Sequence, residues 1–311
     1  MTSVTSRSVA VYGALRSGTT LLRLMLDGHP ALSCPGETDF LFDHVVFDGA
    51  RPGYDAEALE NDRIYRDHRD LYPDRPLADL TPDALIDRIA GADQTAVLML
   101  HRHLDRLLEV YPDMRIIHLV RDPRDVARSS IGMGWAGTVY YGVDHWIDTE
   151  TGWQALCGTL KPEQVIQISY EDLINAPEAT LRKLCDFIGI EFVPGMLQYD
   201  ETSTYSSPDP SLVAQWKRKM TAREVGLVEH KVGGLLAQAG YAPSGYPARA
   251  PGRLGRLALR LNNRRLVLSR RIERYGLRDA LLVFAASRLG VPSLAQGAQR
   301  RIDGKTVRYL K

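Results

Sequence analysis

Cysteine is scarce in this chain. Its three cysteines, Cys34, Cys157 and Cys185, are too far apart for a Cys-x-x-Cys pair. That excludes a disulfide scaffold and a zinc cluster and suits a reducing compartment. Long apolar runs are missing as well: no stretch approaches the roughly 20 residues of a membrane span. The polar opening Met1–Ser8 carries no legible signal peptide, so a cytoplasmic enzyme is the expectation. Net charge is almost absent, +1 over 311 residues, but that balance hides an asymmetry. From Arg249 to Lys311 only Glu273, Asp279 and Asp303 oppose sixteen Lys and Arg, a tail of about +13 on a body of about −12.

The most informative absence is a single lysine. The stretch Val9 to Gly28 begins as a short apolar run, passes through a loop bracketed by Gly13 and Gly18, and continues at helical period. Strand, loop and helix in that order present backbone N–H groups and a positive helix terminus to a phosphate. The two glycines stand five apart, as in a P-loop, yet Thr19-Thr20 follow where a nucleotide triphosphatase has Lys-Ser or Lys-Thr. There the lysine reaches the β- and γ-phosphates and the next hydroxyl holds Mg²⁺. Here Arg16 puts a cation inside the loop, and its fork suits a fixed oxyanion. The apolar strand Arg115–Val120 runs into Arg121-Asp122, which displaces the acid that would serve Mg²⁺ behind a base. No metal constellation is legible. The loop reads as built for a phosphate-bearing donor other than a metal–triphosphate.

Five segments, in order, carry a resemblance: Arg16-Ser-Gly-Thr-Thr-Leu-Leu-Arg23, Leu26-Asp-Gly-His-Pro30, Cys34-Pro-Gly-Glu-Thr38, Val120-Arg-Asp-Pro-Arg-Asp-Val126 with Ser129, and Tyr170-Glu-Asp-Leu173. Together they resemble the PAPS-dependent sulfotransferases (donor 3′-phosphoadenylyl sulfate), with the first segment closest to the protein-tyrosine and bacterial carbohydrate-type branches. The resemblance implies that Arg16, Ser17, Gly18, Thr19 and Thr20 hold the 5′-phosphosulfate, Arg16 also stabilising charge on the departing phosphate. It implies that Arg121 and Ser129 bind the 3′-phosphate and that Tyr170 touches the donor. Lys217 and Arg218, in Trp216-Lys-Arg-Lys219, would close over the product adenosine 3′,5′-bisphosphate. Glu37 is the expected general base for the acceptor hydroxyl, because an alcohol is a poor nucleophile until its proton is taken. No metal is expected. One departure stands out: Gln94, in Ala92-Asp-Gln-Thr-Ala96, occupies a place where many bacterial relatives have a lysine on the transferring group. His101, Arg102 and His103 are the alternative sources of that charge.

The expected fold is α/β: a three-layer P-loop-like domain with a mostly parallel central sheet over residues 1–243, then a basic helical C-terminal extension over 244–311. Ala242–Pro251 reads as a linker, and the extension reads as a pair of short amphipathic helices. Thr81 and Thr221 are expected to cap helices, and Pro177–Ile188 to form a helix that Gly189 stops. Gly132–Trp146 is rich in glycine and aromatics, which either stack on a flat acceptor or pack beneath a loop. The acceptor itself, whether small molecule, glycan, lipid or peptide tyrosine, is open. The basic extension suits the acidic body or a twin subunit, then an anionic membrane surface, and least of all nucleic acid. Two rival readings remain: a P-loop kinase, disfavoured by Thr19, and a catalytically weak sulfotransferase-like binding protein, motivated by Gln94.

Overall fold

The structure is a computed structural model that describes residues 4–48, 51–69, 80–201, 208–289, 297–302 and 305. The chain divides into two compact units, one made of Met1–Asp122 and His145–Gln215, the other of Pro123–Asp144 and Trp216–Lys311.

The first unit is built on a parallel sheet of five strands in the order β2-β5-β1-β6-β7. These are β1 (Ser8–Tyr12), β2 (Leu32–Ser33), β5 (Thr95–Leu100), β6 (Ile116–Val120) and β7 (Val165–Ser169). A separate antiparallel hairpin joins β3 (Val45–Asp48) to β4 (Arg51–Tyr54). Every residue of β1 is buried, as a central strand covered on both faces must be. Its side chains alternate between two cores. Ala10 and Tyr12 face Leu85, Ile86 and Ile89 of α2 (Pro82–Ala90). Val9 and Val11 face Leu22 and Met25 of α1 (Thr19–Asp27) and Leu181 and Leu184 of α6 (Pro177–Ile188). Those two faces make the three layers. Successive strands leave β1 in opposite directions, β5 on one side and β6 on the other. The carboxyl end of β1 therefore opens where α/β sheets bind ligands.

Local chemistry sets several element ends. Thr81 Oγ1 accepts the Ala84 amide at the start of α2, and Gly189 closes α6 at φ 84°. Between these lie α3 (Leu104–Val110) and α5 (Asp144–Leu156), the latter beginning at the unit boundary. Trp146 on α5 is wholly buried and its indole donates to the Arg121 carbonyl at 2.9 Å. Of the two roles open to that tryptophan, packing is the one it takes.

The second unit contains α4 (Pro123–Met133), α7 (Ala222–Val232), α8 (Arg253–Tyr275) and α9 (Leu277–Leu289). Thr221 and Glu224 form a capping box at the start of α7. Two short C-terminal helices were expected; instead α8 runs unbroken for 23 residues. From Arg256 to Tyr275 it contains neither Gly nor Pro, so nothing breaks its backbone ladder. A buried ion pair organises the unit: Arg124 Nη1 donates to Glu229 Oε1 at 2.7 Å. Arg124 also donates to the Ala242 carbonyl and lies 3.9 Å over the Trp216 ring. Glu229 takes two further bonds, from the amide and hydroxyl of Ser244. The Pro/Gly/Ser segment is thus pinned at its start.

Candidate active site

The loop after β1 is shaped by backbone requirements before any side chain acts. At Gly13 a Cβ would meet the Leu119 carbonyl oxygen at 2.6 Å, so only glycine lets the loop lie against β6. Gly18 has φ +95°, and a Cβ there would strike the Tyr170 ring at 2.3 Å. Arg16 holds φ 71° despite its side chain. The Ser17 amide donates to the Ala14 carbonyl and that of Leu22 to Gly18, which turns the chain into α1. Ser17 is fully buried, and its hydroxyl has no hydrogen-bond partner among the described residues. An orphaned buried hydroxyl costs about 1–3 kcal/mol, so its placement at the mouth of α1 fits a loop that closes on an oxyanion.

Arg121 at the end of β6 binds that loop directly. It donates to the Arg16 carbonyl at 3.0 Å and to the Leu212 carbonyl at 3.2 Å, and stacks 3.9 Å over Tyr170. Its Nε is buried with no partner among the described residues. Tyr170 itself is buried and wedged between Gly18 and Arg121. Next to it, Glu171 accepts the Asp122 amide at 3.2 Å. Arg16, Ser17, Gly18, Thr19, Thr20, Arg121 and Tyr170 all belong to the first unit. Ser129, on α4, and the exposed Lys217 and Arg218, on the short helix Trp216–Lys219, belong to the second.

The Cys34–Thr38 segment extends the sheet past β2. Glu37 bridges to Met99 of β5 in parallel fashion, and both the amide and the hydroxyl of Thr38 donate to the Met99 carbonyl. Glu37 is 43% exposed on its side chain, with Arg63 Nη2 3.8 Å from its carboxylate. That leaves it accessible to an incoming hydroxyl. Burial pushes the Cys34 thiol well above its ordinary value, with Asp27 adding to the effect, so this cysteine is no nucleophile.

Sequence reasoning named His101 as a possible source of charge but missed its pairing with Asp39. Asp39 Oδ2 lies 2.7 Å from His101 Nδ1, and Asp39 Oδ1 accepts the His101 amide at 2.8 Å, with both side chains nearly inaccessible. The other ring nitrogen of His101 lies 3.3 Å from Thr19 Oγ1, at the start of α1. Burial pulls the imidazole down, but the charge and hydrogen bond of Asp39, with a further contribution from Glu37, outweigh it and hold the pKa above its ordinary 6.5. Burial likewise pushes Asp39 up, yet His101 and Arg102 hold its carboxyl below the usual value. The result is a buried His–Asp pair whose outer ring nitrogen meets Thr19, at the end of the loop after β1. The signal was present as an acid set directly before the apolar run Phe40-Leu41-Phe42 and a histidine at a strand end.

Gln94 precedes β5, and its amide nitrogen donates to the carbonyls of Pro30 and Leu32 at 3.0 and 2.9 Å. It ties β2 to β5 at the amino end of the sheet. Arg102 is committed to Asp43 by two charged bonds, and His103 Nε2 is 3.2 Å from the same carboxylate. Of the three alternatives, His101 is the one that contacts the loop. Asp43, His44 and Asp62 converge closely enough to hold an ion, but Arg102 already neutralises Asp43 and Asp62 Oδ1 caps the Arg63–Asp67 helix. In the first unit a cavity of about 330 Å³ adjoins His101, lined also by Tyr12, His103, Leu104, Gly152 and Leu156.

Comparison with known proteins agrees with this architecture. A putative protein-tyrosine sulfotransferase of Caenorhabditis briggsae is 27% identical over 204 residues, 62% of this chain and 69% of that protein. Protein-tyrosine sulfotransferase A of Caenorhabditis elegans is 23% identical over 221 residues, and the match spans 63% of this chain but about half, 53%, of that longer protein. Among solved structures, the sulfotransferase domain from the curacin biosynthetic pathway superposes with a TM-score of 0.55 at 20% identity, over 75% of this chain and 97% of that one. That is a likeness of fold. The model of the Sulfotransferase family matches residues 8–194, a span that takes in the phosphate loop, Glu37, Asp39, His101 and Arg121, and the chain belongs to that family.

Proposed function

We propose that the chain moves a sulfuryl group from 3′-phosphoadenylyl sulfate to an acceptor hydroxyl, leaving adenosine 3′,5′-bisphosphate. The observation that carries this reading is the pair of buried donors, Ser17 Oγ and Arg121 Nε, that have no partner among the described residues. They supply hydrogen bonds to a ligand with phosphate oxygens and need no lysine or metal to do so. The amides of Ser17 to Thr20 and the Arg16 guanidinium would hold the 5′-phosphosulfate, Arg121 the 3′-phosphate, and Tyr170 would support the donor beside them.

In the transfer the acceptor oxygen attacks sulfur and the bond from sulfur to the bridging phosphate oxygen breaks. The electron pair leaves with the bisphosphate, and the hydroxyl proton passes to Glu37, whose exposed carboxylate stands on the strand extension beside β5. A base so placed contributes about 10²- to 10⁴-fold. His101, fixed by Asp39, would orient the Thr19 hydroxyl, and its protonated form would add positive potential where negative charge gathers on the leaving group. The cavity beside His101 is of a size for a small molecule, a sugar ring or one side chain, and we assign the acceptor to it.

The test is calorimetric titration with adenosine 3′,5′-bisphosphate, ADP and Mg²⁺–ATP, on wild type and Arg121→Ala. Metal-independent binding of the bisphosphate, far tighter than that of ADP and lost in the variant, is expected. Turnover of sulfur-labelled donor should then fall in Glu37→Gln with binding retained. Preference for Mg²⁺–ATP, or indifference to Arg121, overturns the assignment in favour of a kinase. Tight bisphosphate binding with no turnover on any acceptor leaves a binding protein.

A further inference from the structure

The long helix α8 has two faces of opposite character within its own unit. One is anchored to the last turn of α4 and to the segment that follows it. Arg270 donates to the Ile131 carbonyl, Arg274 to the carbonyls of Met133 and Gly132, and Asn263 Oδ1 accepts the amides of Gly137 and Thr138. The other face carries Leu254, Leu257 and Leu261, which are 83%, 52% and 56% exposed. Spacings of three and four put them in one stripe, and Leu268 and Ile272 continue it. Exposed arginines border that stripe: Arg253, Arg260 and Arg264 along one edge and Arg265 along the other. Glu273 is the only acid in the helix.

Solvent is a poor partner for three leucines in a row, and the arginine border states what partner suits them. We infer that α8 docks the protein on an anionic lipid surface. The leucine stripe enters the boundary between headgroups and acyl chains, and the arginines lie along the headgroup phosphates with their stems against the apolar layer. No helix among the described residues is long and apolar enough to cross a membrane, so the contact lies along the interface. A second copy of the chain fits the same face badly, because pairing leucine stripe to leucine stripe sets two arginine borders against each other. Nucleic acid would satisfy the arginines but leave the leucines facing phosphate. This reading is independent of the donor chemistry proposed above.

The experiment is co-sedimentation of the full chain with phosphatidylcholine vesicles, with and without phosphatidylglycerol, at low and high salt. Two variants accompany it, Leu254→Ser/Leu257→Ser/Leu261→Ser and Arg253→Gln/Arg260→Gln/Arg264→Gln, each checked for native melting. Wild type should bind the anionic vesicles at least about tenfold more tightly than the neutral ones, losing that advantage in high salt. Each variant should lose about tenfold or more. Equal partition on both vesicles, or none on either, overturns the proposal. So does a dimer in size-exclusion chromatography that the leucine variant splits without any change in vesicle binding. RNA retention that depends on the arginines but not the leucines overturns it as well.

Discussion

Two buried ion pairs, one from each unit, are used differently. In the second unit Arg124 and Glu229 are closed on themselves: the carboxylate is filled by Ser244, and the guanidinium by Ala242 and the Trp216 face. Arginine does not titrate in the working range, and Glu229 has its accepting positions occupied, so this pair can only hold the unit together. In the first unit Asp39 fills one side of His101, but the other ring nitrogen faces Thr19 on the phosphate loop. That pair includes a group able to change charge, and it has an open end directed at the site. A buried charge is therefore no sign of function by itself. What sets the Asp39–His101 pair apart is a ring nitrogen that the fold leaves facing the loop after β1, which makes it the better candidate for a role in the proposed site.

Breaking the closed pair should have the largest effect on folding. Glu229→Ala strands a buried guanidinium and is expected to cost about 3–5 kcal/mol in urea unfolding, whereas Arg124→Met/Glu229→Leu should restore most of that loss. Next comes the open pair. His101→Gln keeps a donor for Thr19 but removes the charge, and turnover at saturating acceptor should fall about tenfold, in line with the loss of a charge-assisted bond. Its pH dependence sharpens the contrast. His101 has a raised folded pKa, so its stabilisation is complete below about 6.5 and fades as pH rises through the folded value. Asp39 has a lowered one, so its share is complete above about 3.8 and fades as pH falls through the folded value. The melting difference between wild type and Asp39→Asn should thus be greatest between those limits and shrink on either side. The smallest effect belongs to the far end of β5. Gln94→Lys should leave turnover within about twofold, because the residue ties strands together at the edge away from the site and its hydrogen bonds are each worth about 1 kcal/mol to stability alone.

The contrast also explains what could be read in advance. The strand–loop–helix shape after β1 was legible because its requirements are local: Gly13, Arg16, Gly18 and Thr19 lie within seven positions. Caps at Thr81 and Thr221 and the stop at Gly189 were legible for the same reason. The Asp39–His101 pair was not, because it joins residues 62 apart that meet only when the Glu37 segment aligns with Met99. The place of Gln94 was not legible, because a short pattern does not say which end of its strand a residue occupies. Trp146 looked like a loop aromatic, yet α5 turns it into the core. The C-terminal helices were placed correctly by composition, but their lengths depended on the absence of breakers between Arg256 and Tyr275.

Arg16 holds a backbone conformation that L-residues enter at a cost of roughly 1–2 kcal/mol, and its carbonyl is gripped by Arg121 from a strand 105 residues away in sequence. The loop is accordingly bent at one arginine and tied down by another, so its shape is set by the sheet beneath it as much as by its own residues.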